Sequence, residues 1–353
     1  MSIVITGVGS YIPEVIVKNS NFLKNVFVNK DGSLIDQPNE VTVEKLKNIT
    51  GIEERRYVED DKVTSDIATI AAERAIKDAG IDPEELDYII VGQNFGDVRK
   101  GSNQTDQVPN IAARVKHKLR IKNPSCVTYD VIFGCPGWLE GVIQAQAFIK
   151  AGMAKKCLII GAETLSRVVD PHDRDSMIFA DGAGATIIEK SDQPGGILAH
   201  ETASYTYSEA PYLDYNISEH KEEAKSNIQY VKMSGRRIYN FALTKVPQAM
   251  KSCYDKSGKS IGELKKIFLH QANEKMDDAM CERFFKLYDK EAPENVMPMN
   301  IHKLGNSSVA TLPTLLDQVR KGEIEGHQLE KGDILIFASV GAGMNINAMV
   351  YQY

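Results

Sequence analysis

Of the five cysteines, at 126, 135, 157, 253 and 281, one stands where a thiol can do chemistry. In the run Tyr129-Asp130-Val131-Ile132-Phe133-Gly134-Cys135-Pro136-Gly137-Trp138-Leu139-Glu140 a strand pattern ends, Gly134 permits a tight turn, and a helix pattern begins. Pro136 suits the first helical position, where its missing N–H costs nothing and its φ is already helical. Cys135 then falls at the cap, and the positive end of the helix dipole favours thiolate over thiol there. Its own backbone N–H is free to hold an oxyanion. The other four cysteines read as small buried hydrophobes.

A thiolate catalyst needs an imidazole and usually an amide nearby. Leu269-His270-Gln271-Ala272-Asn273 follows the apolar Ile267-Phe268 and precedes a helix pattern, so His270 is expected at a strand's C-terminal end, the edge where ligands sit in α/β sheets. Leu304-Gly305-Asn306-Ser307-Ser308 reads as a glycine turn into a helix start, with Asn306 either a catalytic amide or a plain N-cap. The run Asp181-Gly182-Ala183-Gly184-Ala185 precedes a strand with no helix after it, so it is no dinucleotide fingerprint. Ser339-Val340-Gly341-Ala342-Gly343-Met344 joins two strand patterns, and its N–H groups could complete an oxyanion hole.

The elements around these residues alternate. Strand patterns fall at 3–8, 88–91, 127–131, 157–160 and 185–188, then at 228–233, 267–269, 334–338 and 345–351. Helical stripes cover 64–79, 108–117, 136–151, 235–254, 276–287 and 312–320. That rhythm predicts an α/β protein with buried sheets. The polar stretch 190–196 divides residues 1–190 from 191–353, and no residue-level repeat is visible across it. Segments 25–41, 94–107 and 208–226 look inserted, and loops of that length are usually functional or build oligomers.

A charge of −6, from 42 Lys+Arg against 48 Asp+Glu, argues against nucleic-acid binding. No window suits a membrane helix. The opening Met1–Thr6 lacks a charged n-region, so it reads as a strand and not a signal peptide. An odd cysteine count without CxxC spacing argues against a disulfide framework or a zinc site and fits a reducing cytoplasm.

In order and spacing these motifs resemble the thiolase superfamily, and within it the ketoacyl-acyl-carrier-protein synthase III family. The resemblance runs nearly end to end: Gly7–Glu14, Thr50–Arg56, Cys135, Asp181–Ala185, His270–Asn273, Gly305–Ser308 and Gly341–Gly343. It implies two similar halves in a five-layered αβαβα fold, a homodimer, and a place in fatty acid biosynthesis. It implies that Cys135 is acylated by a thioester, and that His270 and Asn306 hold the carbonyl of malonyl-carrier as CO2 leaves. The N–H groups of Cys135 and Ala342 would form the oxyanion hole, flanked by Gly341 and Gly343. The substrates would be coenzyme A or acyl-carrier-protein thioesters, with neither metal nor redox cofactor.

Several positions depart from the family pattern. Its tryptophan and arginine that grip coenzyme A align near Lys45 and Ile49, whereas Arg167 matches the other basic contact to the nucleotide. The aromatic that reaches the partner's acyl pocket aligns with Val108, whose smaller side chain fits a longer or branched acyl group. Arg236, Arg237, Lys245 and Lys251 are the candidate dock for the acidic carrier. The insertions leave room for a specialised branch condensing two longer acyl chains in secondary metabolism, and an inactive scaffold subunit is a further alternative. A papain-like hydrolase shares the Cys, His, Asn order and a separation of about 135 residues, but lacks that family's cysteine motif. A degradative thiolase needs a second cysteine near the C-terminus, and the last is Cys281. A hydroxymethylglutaryl-CoA synthase needs a glutamate in the first half, where Glu140 lies inside the nucleophile helix and Glu163 after a strand.

Overall fold

The computed structural model describes residues 2–353. In chain order the strands are β1 (Ser2–Tyr11), β2 (Val15–Lys18), β3 (Glu54–Tyr57), β4 (Tyr88–Gly92), β5 (Val127–Val131), β6 (Lys156–Thr164) and β7 (Asp181–Ser191). After residues 192–195 follow β8 (Gly196–Ser204), β9 (Leu213–Ile217), β10 (Gln229–Met233), β11 (Leu264–Leu269), β12 (Ile334–Gly341) and β13 (Asn345–Gln352).

Two sheets carry the fold, in the orders β1-β7-β6-β4-β5 and β11-β12-β13-β8. In the first, β7 runs antiparallel to both β1 and β6, and β4 runs parallel to β6. In the second, β13 runs antiparallel to both β8 and β12, and β11 runs parallel to β12. The two sheets therefore repeat one topology, with β5 as an extra parallel edge strand on the first. The duplication is invisible residue by residue because strand order depends on period-2 apolar patterning, which many sequences satisfy.

Both sheets are covered on both faces, and the alternation along their strands decides which residue faces which layer. On β6, Cys157 and Ile159 join a core containing helix Gly137–Lys150 and helix Thr311–Arg320, while Leu158 and Ile160 face helix Thr64–Ala79 and helix Ile111–Lys118. On β12, Leu335 and Phe337 face the same middle helices, while Ile334, Ile336 and Ala338 face helix Gly235–Lys256 and helix Glu274–Lys286. The layers are thus α, β, α, β, α, with the central helical layer drawn from both halves of the chain. Trp138 is buried in that layer and donates from Nε1 to Thr186 Oγ1 at 3.2 Å. Truncating it to alanine would cost about 3–5 kcal/mol.

Several boundaries differ from the sequence reading. The glycine-rich Asp181–Ala185 lies inside β7; its small residues let Pro313 and Thr314 pack close against Gly184. The helix expected from Val108 starts at Ile111, where Asn110 caps it by accepting from Ala113 N at 2.7 Å. Segment 208–226 is no plain loop, because it contains β9, which pairs with β10 outside both main sheets. No helix among the described residues is long and apolar enough to cross a membrane.

Candidate active site

The C-terminal ends of parallel β4, β5 and β6 open onto one edge of the first sheet. Asn94, Cys135 and Glu163 stand at or just beyond those ends. Between β5 and the middle helix, Gly134 takes φ +64°, and Gly137 N closes the turn onto Gly134 O at 3.0 Å. The helix begins at Gly137, so Pro136 holds the cap position and Cys135 precedes it by one residue.

From the second sheet, His270 follows β11 directly, and its N–H bonds Ala338 O of β12 at 2.9 Å. Gly341 ends β12 at the same edge. There the two halves interleave through bare backbone. A Cβ on Gly134 would stand 2.5 Å from Ala342 N, and one on Gly341 would collide with Cys135 N. The backbone around Cys135 and that around Ala342 are thereby brought close together.

Asn306 sits in an extended segment bridged to Phe179, donating from N to Ile178 O at 3.0 Å. Its Oδ1 accepts from Ser308 N at 2.8 Å. It does not cap the helix, which starts only at Thr311. Ser308 completes the link, its hydroxyl donating to Cys135 Sγ at 3.4 Å. Asn94 spans the first sheet's end: Nδ2 donates to Glu163 Oε2 at 2.6 Å and lies 3.4 Å from Ser308 Oγ, and Oδ1 accepts from Gly134 N at 3.1 Å.

Cys135 opens onto a cavity of about 220 Å³ walled by Phe95, Ile132, Leu165, Phe179, Leu213 and Tyr215. The remaining four cysteines are buried. His270 and Asn306 do not line this cavity, and both are buried at 5% and 4% exposure. Phe95 and Tyr215 pair with ring centroids 5.3 Å apart, and the Tyr215 hydroxyl donates to Asn103 Oδ1 at 2.9 Å. Segments 94–107 and 208–226, read as insertions of a functional or oligomer-building kind, supply cavity wall. The position of Asn94-Phe95 just after a parallel strand was a signal available in the sequence.

Electrostatics correct one expectation. Desolvation pushes the Cys135 thiol up to about 11, against a smaller lowering by the Ser308 hydrogen bond. The cost of charging a sulfur held away from water opposes the thiolate expected at a helix start. Burial likewise lowers His270 to about 4, so its imidazole is neutral, and its Nδ1 has no partner among the described residues.

The other sequence-based candidates lie outside the cavity lining. Arg167 is buried at 8% exposure and donates from Nη2 to Glu59 O at 2.9 Å, so it does not present itself at the surface. Val108 is 87% exposed and lines no part of its own chain's cavity. Of the basic residues on helix Gly235–Lys256, Lys251 pairs with Asp255 at 2.6 Å, Arg237 lies over Tyr212, Lys245 lies over Tyr205, and Arg236 is exposed. Glu140 is held by Asn347 Nδ2 at 3.0 Å and by Gln144. Among the described residues no group of His, Cys, Asp and Glu is arranged to hold a metal.

A duplicated five-layered fold with a thiol at the junction of its halves, beside an apolar cavity, is that of a thiolase-type condensing acyltransferase. Residues 129–206 match the family described as 3-oxoacyl-[acyl-carrier-protein (ACP)] synthase III, and residues 254–353 match its C-terminal part. The chain is 30% identical to beta-ketoacyl-[acyl-carrier-protein] synthase III 1 of Vibrio vulnificus, over 99% of both. It is 31% identical to the synthase III of Neisseria meningitidis serogroup B, over 99% of this chain and 98% of that one. The crystal structure of 3-oxoacyl-[acyl-carrier-protein] synthase III from Aquifex aeolicus superposes with a TM-score of 0.82 at 28% identity, covering 100% of both chains. The chain belongs to the beta-ketoacyl-acyl-carrier-protein synthase III family of the thiolase superfamily.

Proposed function

We propose that this enzyme primes acyl-chain synthesis by decarboxylative condensation, with Cys135 as nucleophile. The observation that carries this is the Cys135 thiol at the wall of an apolar cavity, where the backbone of Ala342 packs close to its own. Cys135 Sγ attacks the carbonyl of an acyl thioester. The oxyanion is held by the two N–H groups, and the carrier thiol departs with the proton. Each such donor lowers the barrier by about 2.7–4 kcal/mol.

In the second stage malonyl-carrier loses CO2, and the electron pair moves into an enolate held by His270 and Asn306. A neutral imidazole suits this task, since it donates a hydrogen bond without giving up a proton. The enolate carbon then attacks the acyl-cysteine carbonyl and expels the Cys135 thiolate, which is reprotonated. The acyl group lies against Phe95, Leu165, Phe179, Leu213 and Tyr215. The acceptor is an acyl carrier protein, and the exposed Val108 fits a homodimer in which each subunit borders its partner's cavity.

Intact-mass measurement after incubation with acyl-CoA esters tests this. One acyl adduct, absent in Cys135→Ala, is the expected result. No adduct from any donor, on CoA or carrier protein, would overturn the reading and leave a scaffold role.

A further inference from the structure

One carboxyl at this edge has no part in the chemistry above. Glu163 is fully buried at the end of β6. Its Oε2 accepts from Asn94 Nδ2, and its Oε1 has no partner among the described residues. Asn94 then reaches both sides of the nucleophile, through Gly134 N and Ser308 Oγ. An amide has two distinguishable ends. With its NH2 end claimed by Glu163, its oxygen faces the Gly134 N–H. The reverse orientation would set donor against donor.

We propose that Glu163 is a positioning residue for the nucleophile, fixing the Asn94 amide so that it holds Gly134 and Ser308, and through them the Cys135 thiol. This rests on Cys135 being the nucleophile and adds the device that orients it. The charge state of Glu163 makes the role testable. Burial outweighs the Asn94 hydrogen bond and raises its carboxyl to about 8, so it is mostly protonated at neutral pH. The titratable groups facing it are Cys135 and, on β7, Asp181. Asp181 is itself raised to about 6 by burial, opposed by bonds from Ser166 and Val58 N and by the charge of Arg167. When Glu163 ionises, its charge disfavours a thiolate at Cys135.

The test is the rate of Cys135 alkylation by iodoacetamide between pH 6.5 and 9.5, with the adduct located by peptide mass spectrometry. Glu163→Gln keeps an oxygen for Asn94 but cannot acquire charge. Its rate relative to the natural enzyme should climb about tenfold between pH 7 and 9. A ratio that stays flat overturns the proposal. Asn94→Ala, at a partly exposed position, is the second variant should Glu163→Gln fold poorly. It should slow alkylation about tenfold at pH 8, and a rate equal to the natural enzyme's is equally fatal. Alkylation needs no acyl donor, so an enzyme that no thioester acylates would overturn the proposed function and leave this result readable.

Discussion

Ser308 Oγ donates to Cys135 Sγ at 3.4 Å, although 173 residues separate the two and they come from opposite halves of the chain. The hydrogen bond is one of two groups that lower the thiol's pKa, against the desolvation that raises it. Ser308→Ala should therefore push the thiol higher still. A bond of this kind contributes about 1 kcal/mol, and acylation near neutral pH should slow roughly fivefold. Stopped-flow acylation across pH checks it, and an unchanged profile would mean the hydroxyl leaves the sulfur's charge unaffected.

His270 gives a pH dependence of stability. Burial holds its folded value near 4, below the ordinary 6.5. Between those values the unfolded chain binds a proton that the native protein refuses, so stability falls as pH drops from about 6.5 to 4. The loss approaches about 3 kcal/mol. His270→Asn lacks this group and should lose less stability over the same range, while Glu163, Asp181 and other groups contribute equally to both proteins. Urea unfolding at pH 7, 5.5 and 4.5 makes the comparison, and parallel losses would contradict a shielded imidazole.

Tyr215 closes one side of the cavity, tied to Asn103 and packed on Phe95. Tyr215→Ala should open that side and shift acceptance toward longer acyl donors. A methylene accommodated in an apolar pocket contributes about 1–3 kcal/mol, so the preference for the longer of two competing acyl-CoA esters should rise at least about tenfold. Competition followed by intact mass decides this, and an unchanged chain-length profile would place the acyl group elsewhere.

Lys232 is buried at 7% exposure and contacts Asp170, Glu219 and Asp173. It ties β10 to the segment after Arg167 and to the residues following β9. Lys232→Met leaves Asp170, which is wholly buried, without its cation. Breaking such a cluster on one side costs about 3–5 kcal/mol, visible as a large drop in Tm. The hairpin borders the cavity, so acylation rates should fall with it, and a small change in Tm would show the charges to be well hydrated.

Much of this was legible in the sequence, for stated reasons. Helix Thr64–Ala79 was read to the residue because Ile67, Ala71, Ala75 and Ile76 form one apolar stripe ending at Gly80, which takes φ +65°. Gly134, Cys135 and Pro136 announce the turn because each answers a distinct backbone need. What stayed hidden depends on partners distant in the chain. Thiol desolvation is set by walls contributed from both halves, and no local pattern around Cys135 encodes it. Asn306 read as a possible N-cap because its bridge to Phe179 is a tertiary contact. Strand β9 alternates apolar Leu213, Tyr215 and Ile217 with Asp214 and Asn216, a period-2 signal present in the sequence but short and set in a polar stretch.

The hairpin of β9 and β10 belongs to neither main sheet, yet Leu213, Tyr215 and Val231 line the cavity beside Cys135. Scaffold and lining are thereby uncoupled. Residues of the hairpin can change in length and bulk while the layers that carry Cys135 keep their register. Such an enzyme can acquire a new primer through a cassette at its surface, without renegotiating the interior on which its reaction depends.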